Sequence, residues 1–67
     1  MEVTVNKDRI TLADNASVKD LLDQILGEKQ KGVAIAIENV VLPRTDWQQR
    51  ILIHGEKLIL IRATQGG

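Results

Sequence analysis

The sequence contains no cysteine, tyrosine or phenylalanine, one tryptophan (Trp47), one proline (Pro43) and no net charge. Each shortage removes a class of function. Without cysteine there is no disulfide framework, no thiolate nucleophile and no Cys-rich zinc site. Nine basic side chains matched by nine acidic ones leave no cationic footprint for a phosphate backbone or an anionic bilayer, so neither nucleic acid nor membrane is expected as a partner. No apolar run approaches the roughly 20 residues that span a bilayer, and no basic segment followed by an apolar stretch marks a secretory leader. The expected setting is soluble, reducing and cytoplasmic. At 67 residues the chain is one domain, too small to enclose a large active site within its own walls.

What is present is an aliphatic core. Valine, isoleucine and leucine supply 22 of the 67 residues, well above the roughly 20% below which disorder is the better expectation. Val3 and Val5 alternate with Glu2 and Thr4, Asn6-Lys7-Asp8 supplies turn chemistry, and Ile10 and Leu12 resume the alternation; the pattern predicts a hairpin. Ser17 then stands where a helix cap is needed, with Asp20 adding negative charge to the first turn. Val18, Leu21, Leu22, Ile25 and Leu26 form one apolar face at helical spacing, and Gly27 fits the left-handed position that ends a helix.

Beyond the polar stretch Glu28 to Lys31, Val33 to Ile37 reads as a strand with large residues on one face and alanines on the other. Glu38-Asn39 turns it into a short partner, Val40 to Leu42. Pro43 cannot donate to a ladder, so that partner sits at a sheet edge or ends there. Thr45 is expected to cap a single turn through Asp46, Trp47 and Gln48, and Ile51 to Ile53 leads to a turn at His54-Gly55-Glu56. Leu58 to Ile61 has no polar alternation, the pattern of a strand in the middle of a sheet. A hairpin, a helix, a second strand pair and a central last strand make an α+β fold of the β-grasp type, a mixed four- to five-stranded sheet with one main helix across one face.

The inventory for catalysis is thin. Ser17 is assigned to a cap, and His54, the single histidine, lies in an expected exposed turn. Asp20 and Asp23 share the polar side of the helix with Lys19, a solvated face rather than an acid/base pair. The glycines at 27, 32, 55, 66 and 67 lack the grouping of a phosphate-cradling loop. No catalytic residue and no metal ligand set is expected.

The remaining feature is Thr64-Gln65-Gly66-Gly67, which follows the apolar last strand and lies outside a domain read as residues 1–63. One reading is a frayed terminus. The other makes the α-carboxylate itself the reactive group, because two residues without a Cβ can thread a narrow channel in another protein where any side chain would clash.

Across its whole length the chain resembles the sulfur carrier proteins of thiamine biosynthesis, within the ubiquitin-like β-grasp group. The residues that carry the likeness are Asn6, Leu21-Leu22, Glu38-Asn39 leading to Pro43-Arg44 and Trp47, and the closing Gly66-Gly67. Three positions depart from the family pattern: Lys7 after Asn6, the turn His54-Gly55-Glu56, and Gln65 where a small residue is common. The resemblance implies a carrier, not an enzyme. An adenylating enzyme of the E1 type, using ATP and magnesium, would join the Gly67 carboxylate to AMP. A persulfide originating in a cysteine desulfurase would displace the AMP, and the resulting thiocarboxylate would serve a thiazole synthase. Gly67 is then the attachment site, and Gly66, Gln65 and Thr64 are the segment that enters the activating enzyme. The chain itself would hold no cofactor and would be monomeric when free.

Partner docking is assigned to the sheet face away from the helix. With Val33, Ile35, Ile37, Leu58 and Leu60 turned to the helix, that face would carry Ile59, Ile61, Ala34 and Ala36, with Arg62 beside the tail. Trp47 would pack the short turn onto the core or serve as an interface anchor. Competing functions are the small subunit of molybdopterin synthase, a ubiquitin-like protein modifier, and an interaction module whose tail is idle.

Overall fold

Alternation in the first segment puts Val3 and Val5 on one side of strand β1 (Glu2–Val5), where both are buried. In the computed structural model, which describes residues 1–62, β1 turns through Asn6 and Lys7 into the antiparallel β2 (Asp8–Thr11). Helix α1 (Val18–Leu26) follows. Next come β3 (Val33–Ile37), β4 (Val40–Leu42), a 3-10 turn (Arg44–Asp46) and β5 (Lys57–Arg62). The five strands form one sheet in the order β2-β1-β5-β3-β4. Strand β5 pairs parallel with β1 and antiparallel with β3, so the last strand occupies the centre and the sheet is mixed. The β-grasp expectation holds, with five strands.

The helix boundaries follow from local chemistry. Ser17 Oγ accepts the Asp20 N–H at 3.1 Å and Asp20 Oδ2 accepts the Ser17 N–H at 2.9 Å, a capping box that satisfies otherwise orphaned donors. At the other end Gly27, at φ 59°, donates its N–H to the Asp23 carbonyl at 3.0 Å. The apolar stripe between them presses Val18, Leu21 and Leu22 into a core shared with Val3, Val5, Leu12, Ile35, Leu58 and Trp47. Full burial of each large aliphatic side chain contributes about 1.5–3 kcal/mol. That is a large share of the stability of so short a chain.

One turn differs from expectation. The 3-10 turn is capped by Pro43 without a side-chain hydrogen bond, not by Thr45, and begins two residues earlier, at Arg44. Pro43 supplies the carbonyl for the Asp46 N–H at 2.9 Å, and its fixed φ suits the entry to a helical turn. The edge position of β4 agrees with the missing donor of Pro43.

Candidate functional site

The register of the sheet decides which side chains share the open face. Ala34 pairs with Ile61 and Ala36 with Ile59 across β3 and β5, while Ala36 also pairs with Val41 on β4. Ladder partners point the same way. Ile59, Ile61, Ala34, Ala36 and Val41 therefore stand together on the side opposite the helix, whereas Val33, Ile35, Ile37 and Leu58 are buried beneath it. Ile59 is 49% exposed, Ile61 45% and Val41 57%. A strand that reads as buried on both faces is thus covered on one only.

Ala36 departs from the docking role given to it. It is only 7% exposed, because its single methyl lies between the taller Ile59 and Val41 in adjacent strands. It forms the floor of the patch rather than a contact point. Ala34 is half-buried, and Arg62, though exposed, departs from the docking face given to it: it pairs with the buried Val33, so its parity puts it on the helix side of the sheet. Val41 was not foreseen as part of this face. The signal was available: a two-residue hairpin loop at Glu38-Asn39, both with positive φ, pairs Ile37 with Val40 and so puts Val41 beside Ala36. A basic fringe, Arg9 on β2 and Lys57 on β5, follows on the same face from their register with Thr4.

The expected carboxyl-terminal site, Thr64, Gln65, Gly66 and Gly67, lies outside the described residues. Its approach does not. Strand β5 runs up the middle of the sheet to Arg62, whose partner in β3 is Val33.

The conspicuous polar residues are structural. His54 is exposed, and its Nδ1 accepts the Glu2 N–H at 3.0 Å, tying the start of β1 to the turn before β5. Trp47 is buried at 2% exposure and donates Nε1–H to the Leu42 carbonyl at 3.3 Å, so its role is core packing. The guanidinium of Arg44 stacks 4.5 Å from the Trp47 ring centroid and donates to the carbonyls of Gln30 at 2.9 Å and Val33 at 3.3 Å. The spacing Pro-Arg-x-x-Trp is thereby a clamp: Pro43 starts the turn, and Arg44 folds back over Trp47 to hold the start of β3.

Gln30 was hidden in a polar stretch and is buried. Its amide donates to Asp23 Oδ1 at 2.7 Å and to the Gly27 carbonyl at 2.6 Å, and accepts from Lys19 Nζ at 3.1 Å. Lys19 also reaches Asp23 at 2.5 Å. The hydrogen bonds from Lys19 and then Gln30 hold the Asp23 carboxyl below its ordinary value, despite some desolvation. Every bond to Asp23 thus favours a fixed carboxylate, not a proton carrier. Among the described residues no cluster of His, Asp or Glu is arranged to hold a metal ion, and no helix is long and apolar enough to cross a membrane.

An apolar patch on the open face of a small β-grasp sheet is the kind of surface on which another protein docks. The family model described as the ThiS family matches residues 1–67, and the chain belongs to that family. The curated sulfur carrier protein ThiS of Escherichia coli (strain K12) is 33% identical over 67 residues, covering both chains in full. The fold is shared with the crystal structure of a thiamine biosynthesis protein (ThiS) from Geobacter metallireducens, at a TM-score of 0.81 and 23% identity over the whole of both chains. The family is one of sulfur carriers rather than enzymes.

Proposed function

We propose that this chain carries sulfur for the thiazole ring of thiamine on its own carboxyl terminus. The Gly67 carboxylate attacks the α-phosphorus of ATP in an adenylating enzyme, with magnesium on the phosphates, and pyrophosphate leaves. A persulfide supplied through a cysteine desulfurase displaces AMP from the acyl adenylate, and a thiol cleaves the resulting S–S bond. The thiocarboxylate left at Gly67 is the sulfur donor for thiazole synthase. The observation that carries this reading is that the family match runs to Gly67 itself, on a chain whose last strand is the centre of its sheet.

The division of labour suits the residues. The chain has no cysteine, and the cycle needs none on it, because sulfur rides on the main chain. Gly66 and Gly67 let the terminus pass a narrow channel, with Thr64 and Gln65 behind them. Ile59, Ile61 and Ala34, over the Ala36 floor and with Val41 at the rim, are the surface on which the adenylating enzyme and the synthase dock, and Arg62 flanks the tail from the helix side of the sheet. Ile59, Ile61 and Ala34 share β3 and β5 with the approach to the tail, so a partner seated there is next to the group it must engage. The carrier works as a cytoplasmic monomer between encounters.

Incubation with ATP, magnesium, the adenylating enzyme of the source organism and a sulfur donor tests the cycle by intact mass. The expected product has one oxygen of Gly67 replaced by sulfur, and removal of Gly67 abolishes the exchange. An unchanged mass refutes the carrier reading. An isopeptide adduct to a lysine supports a protein modifier instead, and sulfur transfer to a pterin precursor supports the molybdopterin reading.

A further inference from the structure

Beside the clamp of Arg44 on Trp47 lies a cavity of about 300 Å³ lined by Lys19, Gln30, Arg44, Thr45, Trp47 and Gln48. Its charge is unbalanced. Asp23 is engaged by Lys19 and Gln30, while Arg44 forms no ion pair among the described residues; its Nη2 is spent on the carbonyls of Gln30 and Val33. The guanidinium carries five N–H donors in a fixed fork. Those on Nη1 and Nε have no protein partner among the described residues. The group is nonetheless held in place from two sides, by the carbonyls and by the indole face at 4.5 Å. Rotamer entropy, ordinarily lost when an arginine is ordered at an interface, is therefore already spent.

Position gives this cavity a meaning. Val33, whose carbonyl Arg44 holds, is the ladder partner of Arg62. The pocket thus stands at the end of the sheet where β5 leaves for the carboxyl terminus, one strand away from it. It is separate from the apolar patch, which faces away from the helix, whereas Lys19 belongs to the helix. A preorganised guanidinium with open Nη1–H and Nε–H donors and no carboxylate partner among the described residues matches a carboxylate held through one charge-assisted hydrogen bond, since both bidentate edges of the group use the Nη2 already engaged.

Resting on the carrier reading above, we infer that the Arg44 pocket receives an aspartate or glutamate side chain of the adenylating enzyme, a second anchor that fixes the direction in which the tail enters. The apolar face supplies contact area; the ion pair, at a second point away from that face, sets orientation.

The test is calorimetric binding of the full chain to the adenylating enzyme of the source organism. Wild type is compared with Arg44→Glu, Arg44→Lys, Gln48→Glu and Thr45→Glu. Arg44→Glu is expected to raise Kd about tenfold or more, and Arg44→Lys to recover part of that loss. Arg44 also ties down Gln30 and Val33, so its variants are checked by thermal melting. Gln48→Glu and Thr45→Glu guard against misfolding: both residues are exposed, and a carboxylate at either raises Kd roughly threefold by repulsion alone. Raised salt should narrow every difference. Folded variants at all three positions that bind as wild type does would overturn the inference. So would saturable perturbation of the Trp47 indole N–H by inorganic phosphate with enzyme binding unaltered, which assigns the pocket to a free anion. If wild type itself does not bind the enzyme, the carrier reading fails and this inference with it. Loss of sulfur exchange on removing Gly67, with Arg44 variants binding normally, leaves the carrier standing and removes only the second anchor.

Discussion

The side-chain carbonyl of Asn6 accepts the backbone N–H of Leu60 at 2.9 Å, joining residues 54 apart in sequence. The Asn6 N–H donates to the Leu58 carbonyl at 2.9 Å. One turn residue thereby extends the parallel pairing of β1 and β5 past the end of β1. Its φ of 58° lies in the left-handed region, where asparagine is tolerated better than most side chains. Asn6 thus serves both as the pivot of the first hairpin and as a bond to the strand that approaches the tail.

Asn6→Ala loses the hydrogen bond and keeps an unfavourable φ, at a cost of about 2 kcal/mol. Asn6→Gly relieves the backbone and loses only the bond, about 1 kcal/mol. Urea unfolding separates the two, and amide exchange at Leu60 should quicken in both. Equal costs would show that the turn conformation contributes nothing.

The capping box gives a second measurable increment. Ser17→Ala removes the acceptor for the Asp20 N–H and should destabilise the domain by about 1 kcal/mol. Asp20→Ala removes the reciprocal bond to the Ser17 N–H. Because the two bonds close one box, the double variant should cost less than the sum of the singles. Thermal melts of the four proteins complete the cycle.

Most of the fold was legible because short-range rules agree with one another. Ser17, Asp20 and Gly27 bracket an apolar stripe, and Pro43 marks the sheet edge. The strand Leu58 to Ile61 declares its central place by its lack of alternation. What escaped is set by tertiary contact. Gln30 sits in a polar run and is buried because the helix end and Arg44 close around it. Thr45 has the chemistry of a cap, but the chain enters the turn at Pro43. Ala36 was assigned to the correct face, yet its accessibility depends on Ile59 and Val41 in neighbouring strands, a fact of register rather than of one segment's pattern.

Acid should reveal the Asp23 bonds. Because its folded carboxyl titrates below its ordinary value, its contribution to stability is fully present above the unfolded value, about pH 4, and is lost as pH falls through the lowered folded one. Asp23→Asn should therefore unfold at lower urea than wild type near neutrality, with the gap closing below about pH 4. The effect is small, since the pair of Lys19 and Asp23 is partly exposed. Urea midpoints measured across that range check it; a gap that widens in acid would reverse the assigned sign.

The apolar face yields the sharpest separation of stability from function. Ile59 and Ile61 are half exposed in the free chain, so Ile59→Glu and Ile61→Glu give up little burial and should shift unfolding by no more than about 1 kcal/mol. In a complex the same carboxylates would be desolvated without a partner, a cost of several kcal/mol and hence a loss of affinity above about a hundredfold. Val40→Glu is the control. Val40 is 67% exposed, but its register with Ile37 puts it on the other side of the sheet, so its affinity for the adenylating enzyme should stay close to that of wild type. If Val40→Glu impairs binding as strongly as Ile59→Glu, the added charge acts at long range and the open face is not where the partner docks. If only the open-face variants fail while melting as wild type does, then the second apolar face of β5 is exposed for recognition, and the central strand serves the core on one side and the partner on the other.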